Sequence, residues 1–337
     1  MKKILELIKL LNGHNVYIQT HNFPDPDALA SAYGLQYLLK QFDIDSKIVF
    51  DGTLSKLSGI RMVDYFDIEI FNANDFKDMN KNDYIVIIDA QKYNKNCTDL
   101  PGDEVACIDH HPTVIDVEYK YKDVRMVGAC SSIIAEYFID AEKVPSVNVA
   151  TALLYGIKMD TNDFGRGVSE LDVKMYYMLF SYADQKVLEK IQLNTIELTD
   201  LRAYGAAINN ISLYKNIGFA SIPFDCPDGL IAIISDFILA LDVVEFSVVY
   251  SERAGGYKFS VRSELEQFDA GKITNSVLSS IGGNGGGHAF MAGGFLPQDC
   301  VDSLGENPRA DVEQLFLKEL FPDEDVLNLV TCFDVLE

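Results

Sequence analysis

VYIQTHNFPDPDALASAYGLQYLLKQF, residues 16–42, decides the architecture. A short apolar run from Val16 to Thr20 stops at His21, Asp25 and Asp27, and from Ala28 to Phe42 the apolar residues recur every three or four positions. That pattern is a buried strand, a polar loop and a helix. Pro24 and Pro26 make the loop rigid, with Asp25 and Asp27 placed on either side of a bound pair of ions. Ser46 to Phe50, Ile68 to Phe71, Tyr84 to Ile88 and Glu104 to Ile108 read as further strands. The run Ile85-Val86-Ile87-Ile88 is apolar on both faces, as strands buried inside a parallel sheet are.

Helical spacing dominates the next stretch, over Ser131 to Asp140, Ser146 to Asp160, Glu170 to Tyr182 and Leu193 to Asn210. Strand character returns at Gly218 to Pro223, Val243 to Arg253 and Tyr257 to Ser263, the last two joined as a hairpin through Ala254-Gly255-Gly256. The expectation is an α/β protein: a mainly parallel sheet flanked by helices in residues 1–192, a helical linker over 193–215, and a smaller α/β domain over 216–337. A chain of 337 residues suits two cores better than one.

Apolar residues make up 48% of the chain and charged residues 23%, an ordinary folded composition. The most apolar run, Ile231 to Leu241, is broken by Ser235 and Asp236, so no membrane span is expected. Met1 to Leu11 carries Lys2, Lys3, Glu6 and Lys9, unlike a secretory leader. Cys97, Cys107, Cys130, Cys226, Cys300 and Cys332 are scattered and form no metal-type pair, which fits reduced thiols in the cytoplasm. With 28 Lys and Arg against 51 Asp and Glu, the net charge of −23 repels a long phosphate backbone and excludes a partner such as long duplex nucleic acid. Small anions remain admissible where a site's own ions dominate the local field.

Three polar clusters each follow a buried strand: His21 to Asp27, Asp89, and Asp109-His110-His111. Ligands of open α/β sheets bind at the carboxyl ends of strands, so the clusters can meet along one edge. Imidazole and carboxylate without thiolate suits a divalent ion such as Mn²⁺ better than a structural Zn²⁺, with Mg²⁺ and Co²⁺ as alternatives. Converging carboxylates without cations would raise one another's pKa, and two ions resolve the conflict while clamping a phosphoryl group. Four of the five histidines, His21, His110, His111 and His288, lie in candidate motifs. Each cluster alone has an ordinary explanation, such as a helix cap for an Asp after a strand. Three strand ends carrying ligand types together are harder to explain that way.

These residues resemble the DHH phosphoesterases: His21 with Pro24-Asp25-Pro26-Asp27, Ile88-Asp89, Asp109-His110-His111-Pro112, and Gly156 followed by Asp160-Thr161. The resemblance implies that His21, Asp25 and Asp89 hold one metal, and Asp27, Asp89, His110 and Asp160 the other, with Asp89 as the bridge. It also implies that His111 faces the substrate phosphate, that Asp109 orients the histidines after it, and that activated water rather than a protein nucleophile attacks.

Ile281-Gly-Gly-Asn-Gly-Gly-Gly-His288 follows the helical stretch Ala270 to Ser280. Read as a loop, Gly285, Gly286 and Gly287 bring backbone amides close to an anion while His288 donates to it, and Arg262-Ser263 at a strand end offers a guanidinium to a phosphate. The segment is similar to the accessory domain of many DHH proteins, except that Ala292-Gly293-Gly294 stands where Ala-Ser-Gly is common. That likeness implies binding of the nucleotide end of a substrate, and it argues against an inorganic pyrophosphatase. The leading expectation is a nano-RNase-type hydrolase of short oligonucleotides that also takes the 3′-phosphate from adenosine 3′,5′-bisphosphate. Cyclic or linear dinucleotide messengers are the alternative substrates, and an inactive nucleotide-binding protein is the weaker rival. A substrate gripped by both domains would require cleft closure about residues 193–215. A homodimer is the one protein partner left open.

Overall fold

The chain runs outward from its first strand and then jumps back across it, and this reversal builds the site. In the computed structural model, which describes residues 3–54, 57–76, 79–193, 196–265 and 267–325, the chain divides into two units, Met1–Thr195 and Ile196–Glu337. The first contains β1 (Val16–Gln19), β2 (Ser46–Phe50), β3 (Ile70–Asn72), β4 (Tyr84–Ile88), β5 (Asp103–Asp109) and β6 (Tyr121–Val124). They form one sheet in the order β3-β2-β1-β4-β5-β6, with every neighbouring pair parallel. The order reverses between β1 and β4, which leaves a crevice at their carboxyl ends.

Around this sheet run α1 (Lys3–Leu11), α2 (Pro26–Lys40), α3 (Leu57–Phe66), α4 (Cys130–Asp140), α5 (Val147–Asp160), α6 (Glu170–Phe180) and α7 (Gln185–Gln192). Helices and strands share one core: Ile18, Val86, Ile88 and Ile108 pack with Leu35, Leu38, Ile133, Leu153 and Leu154. The opposite face, with Tyr17, Val49, Ile85 and Ile87, is covered by irregular chain carrying Met79, Cys97 and Leu100. Alternation along β4, with Ile85 on one face and Val86 on the other, explains why its whole run is apolar.

The second unit comprises α8 (Leu201–Asn209), β7 (Ile211–Tyr214), β8 (Ile217–Ile222), α9 (Asp228–Leu239), β9 (Phe246–Arg253), β10 (Gly256–Ser263), α10 (Ala270–Ser280), β11 (Asn284–Gly287), β12 (Met291–Pro297), α11 (Gln298–Val301) and α12 (Pro308–Leu320). Its sheet, β11-β12-β10-β9-β8-β7, is antiparallel except for the pair β8/β9. Ala207, Ile231 and Ile234 pack on one face, and Val277, Leu278, Phe316 and Leu317 on the other.

Where a helix was expected over Leu193 to Asn210, α8 covers only its second half, and residues 194–195 lie outside the described residues. The apolar run after Ile231 is largely α9, and the glycine cluster forms strand β11 rather than an open loop. Five cysteines are unpaired, and Cys332 lies outside the described residues. No helix among the described residues is long and apolar enough to cross a membrane.

Candidate metal centre

Asp25 caps α2: its Oδ1 accepts the backbone N–H groups of Asp27 and Ala28, each at 3.1 Å. Pro26 opens the helix, where a missing N–H costs nothing. Capping and ligation are compatible, because Asp25 Oδ2 lies 4.0 Å from His21 Nε2. Asp27, one step into the helix, is buried and bridges to α4, whose preceding residue Ala129 supplies no side-chain cap. Cys130 N donates to Asp27 Oδ2 at 2.6 Å and Ser131 N to Oδ1 at 2.9 Å. Asp27 therefore takes the first amides of α4, where a negative charge is favoured.

Asp89 follows β4 with a left-handed backbone, φ 56°, and its N–H is anchored on Ile108 O at 2.9 Å. Such backbone costs about 1–3 kcal/mol and collects at functional sites. It aims the buried carboxylate into the crevice, with Oδ1 3.3 Å from His110 Nε2 and Oδ2 3.9 Å from His21 Nε2. His110 Nδ1 lies 3.0 Å from the Val127 carbonyl. A carbonyl only accepts, so Nδ1 carries the proton and Nε2 is left as the ligating nitrogen. Nε2 is also 3.1 Å from Asp160 Oδ2 and 3.9 Å from Asp27 Oδ2.

Asp160 ends α5 just before Asn162, Asp163 and Phe164, three successive residues with left-handed backbone. Asp163 forms an ion pair with Lys158 in this turn, and Arg125 is bound to Asp123 and Glu136. A Cβ on Gly156, one turn back in α5, would lie 2.3 Å from Ser131 Oγ and 3.1 Å from Asp27 Oδ1. Glycine there lets α5 approach α2 and α4 closely enough to bring Asp160 to the cluster.

Ligand atoms within 4.8 Å of one another group as His21, Asp25 and Asp89; as Asp27, His110 and Asp160; and as Asp89, His110 and His111. The six residues expected to bind metal are thus brought together, with Asp89 shared by the first and third groups and His110 by the second and third. Asp89 Oδ1 and His110 Nε2 are buried and face each other at 3.3 Å, and among the described residues neither has a hydrogen-bond partner of acceptable geometry. Burial raises the pKa of Asp89 well above the carboxylate range, and the neighbouring Asp27 charge adds to it. Burial also raises Asp27, and it pushes Asp160, with help from Asp27 and Asp25, up to about 7. Burial alone would lower His110, but Asp89, Asp27 and Asp160 hold it well above its usual value. Orphaned atoms and crowded oxygen and nitrogen donors fit bound divalent cations.

His111 is the more open of the paired histidines, with 41% of its side chain exposed. Its Nδ1 meets Asp109 Oδ1 at 2.8 Å, and the pKa reaches about 9 because Asp109 and Asp89 outweigh burial. The sequence reading missed Gln91, whose Nε2 donates to Asp109 Oδ2 at 2.7 Å and to His111 O at 3.1 Å. Its position two residues past Asp89 on the same strand end was the available signal. His14, outside every motif, stacks on Tyr84 at 3.8 Å.

In the second unit Arg262 is only 8% exposed; its Nε donates to Asp236 Oδ1 at 2.6 Å and its Nη1 to Ser260 Oγ at 3.0 Å. Helix α9 brings Asp236 over β10, so the guanidinium is held rather than open. Ser263 is buried and bonds its hydroxyl to Leu265 in a turn. Gly285, Gly286 and Gly287 pair with β12, and a Cβ on Gly285 would lie 2.8 Å from Thr274 of α10. Close packing against α10 accounts for that glycine. His288 is exposed; its carbonyl accepts Gly271 N at 3.0 Å, and Ala289 O accepts Ala270 N at 2.8 Å. The first amides of α10 are therefore engaged by the chain itself.

The DHH family N-terminal domain matches residues 15–157, and the DHHA1 domain matches residues 214–316. An uncharacterized protein of Methanocaldococcus jannaschii is 31% identical over 291 residues, which are 86% of this chain and 59% of that protein. A probable manganese-dependent inorganic pyrophosphatase of Streptococcus pyogenes is 31% identical over 147 residues, 42% of this chain and 46% of that protein. The chain thus spans less than two thirds of either relative. Among solved structures, an exopolyphosphatase-related protein from Bacteroides fragilis shares the fold, with a TM-score of 0.76, 20% identity, and coverage of 96% of this chain and 98% of that one.

Proposed function

The chain carries a DHH family N-terminal domain followed by a DHHA1 domain, and on that premise we propose a cytoplasmic two-metal phosphoesterase that cleaves short oligonucleotides to mononucleotides and takes the 3′-phosphate from adenosine 3′,5′-bisphosphate. The observation that carries the reading is the crowding of His21, Asp25, Asp27, Asp89, His110 and Asp160 around buried, unbonded ligand atoms at the sheet's reversal point. His21, Asp25 and Asp89 would hold one ion, and Asp27, Asp89, His110 and Asp160 the other. When bound, divalent ions such as Mn²⁺ polarise the phosphoryl group and lower the pKa of water.

The chain's own groups then orient and move protons. Asp109, steadied by Gln91, fixes the His111 ring through Nδ1, so the ring is oriented to donate to a phosphoryl or departing oxygen. No side chain is assigned as nucleophile. Arg262, Ser263, Gly285, Gly286, Gly287 and His288 are the proposed nucleotide-end residues. The DHHA1 match supports this assignment.

A turnover panel with Mn²⁺ tests the proposal, comparing diadenylate, adenosine 3′,5′-bisphosphate, cyclic diadenylate, pyrophosphate and longer RNA. Preferred hydrolysis of diadenylate and the bisphosphate is expected. Fastest turnover of cyclic diadenylate would move the assignment to messenger hydrolysis, and no turnover of any would remove the enzyme reading. His288→Ala should raise KM for diadenylate with little change in kcat. Unchanged diadenylate kinetics would withdraw His288 from the substrate contacts.

A further inference from the structure

Asp172, on α6, is fully buried, and no ion pair joins it to a basic side chain among the described residues. Four donors surround it instead. Ser169 N and Oγ reach Oδ2 at 2.7 and 2.6 Å, and Asp172 N donates back to Ser169 Oγ at 3.4 Å to close a capping box for α6. The other two serve no cap: Gly128 N meets Oδ2 at 2.8 Å and Ser132 Oγ meets Oδ1 at 2.5 Å, from 44 and 40 residues away in sequence. The fit leaves no slack, because a Cβ on Gly128 would lie 2.7 Å from both Asp172 Oδ2 and Thr161 Cγ2.

Residues 127–132, gripped in this way, touch two candidate ligands and the chain neighbour of a third. Val127 O fixes the His110 ring through Nδ1, and the Cys130 and Ser131 amides hold both oxygens of Asp27. Thr161, packed against Gly128, directly follows Asp160. Asp27, His110 and Asp160 are one of the three ligand groups, whereas His21 and Asp25 belong to another.

We propose that Asp172 is a positioning residue for the ion held by Asp27, His110 and Asp160, setting that ion's affinity separately from the ion at His21, Asp25 and Asp89. This rests on the two-metal reading. Removing a group bonded directly to a ligand typically costs roughly 10- to 100-fold in metal affinity; Asp172 acts through one further bond, on the segment that carries those groups, so its loss should reach at most the lower end of that range.

Isothermal titration of Mn²⁺ into the full chain tests it, alongside thermal melts. Wild type should take two ions, and Asp172→Asn should weaken one by up to roughly 10-fold while leaving the other unchanged. Ser132→Ala, which removes one donor and keeps the carboxylate, should act on the same ion more mildly, and it decides the matter if Asp172→Asn does not fold. Ser169→Ala breaks the cap and should lower Tm without separating the two affinities. The proposal is overturned if Asp172→Asn or Ser132→Ala leaves both affinities intact or weakens both ions in parallel with Tm. It also fails if Ser169→Ala selectively weakens the same ion as strongly. A wild type that binds no Mn²⁺ would instead defeat the metal centre itself, a distinct result.

Discussion

Asp89 is a carboxylate held under three penalties at once: burial, left-handed backbone, and proximity to Asp27 and Asp25. Asp89→Asn keeps the shape and tolerates that backbone, so it separates charge from fold better than alanine would. Turnover should fall by more than the roughly 10- to 100-fold lost when only a ligand's partner is removed, while the metal-free protein melts higher than wild type near pH 8. Retained activity would remove the bridging assignment. The same crowding dictates a pH dependence. Asp160 keeps its proton to about 7 instead of 3.8, so the stability linked to that proton is lost as pH rises between those values. For His111, raised from 6.5 to about 9, the linked stability is full below 6.5 and lost as pH climbs through 9. Metal-free Tm should therefore decline from about pH 6 to 9 and recover with Mn²⁺, whose binding at pH 6.5 should release protons. Calorimetry in buffers of different ionisation heat measures that release, and a flat metal-free profile would contradict the crowding. His21 to Asp27, Asp89 and His110 were legible in the sequence because each cluster follows an apolar strand run, whereas Asp160, at the end of a helix, was reached through the family resemblance. The amides that hold Asp27 were not legible, since Cys130 and Ser131 lie more than a hundred residues away.

Among the elements, α2, α4 and α5 bring the ligands together, and Gly156 sets their approach. Replacing a glycine by alanine inside a helix ordinarily stabilises by about 1 kcal/mol. Here the added Cβ would collide with Ser131 Oγ and crowd Ala30. Overpacking of this kind costs about 1–3 kcal/mol, so Gly156→Ala should be net destabilising in urea melts and should weaken Mn²⁺ binding through Asp27. A stabilised variant would mean the helices yield and the close approach is not required. Strands with β-branched runs, such as Tyr84 to Ile88, could be read from sequence because period and composition agree. Strand β11 could not: its sequence, Asn-Gly-Gly-Gly, has poor strand propensity, and only pairing with β12 and packing against α10 place it in the sheet. Helix α9 was obscured for the opposite reason. Its apolar run is long enough for either element, and Ser235 within it turns inward to bond Ser247 Oγ and Ser260 O.

At the scale of the whole molecule, the net charge of −23 surrounds a site proposed to act on anions. Two bound divalent cations can reverse the field locally, but phosphates beyond their reach meet a chain of strongly negative net charge. Exposed charges interact over roughly the Debye length, about 10 Å at 0.1 M salt. A dinucleotide keeps its few charges near the ions, whereas a longer RNA trails phosphates across the body. Monovalent salt should therefore lower KM for a 20-nucleotide RNA and shift KM for diadenylate far less. A nuclease with a basic groove shows the reverse, because salt weakens its backbone contacts. Measuring kcat/KM for both lengths at fixed Mn²⁺ across about a tenfold change in KCl, from roughly 25 to roughly 300 mM, separates the cases. A preference for the dinucleotide that narrows as salt rises would make charge the gatekeeper of substrate length. A preference that stays constant would place the limit in the shape of the nucleotide-end site instead.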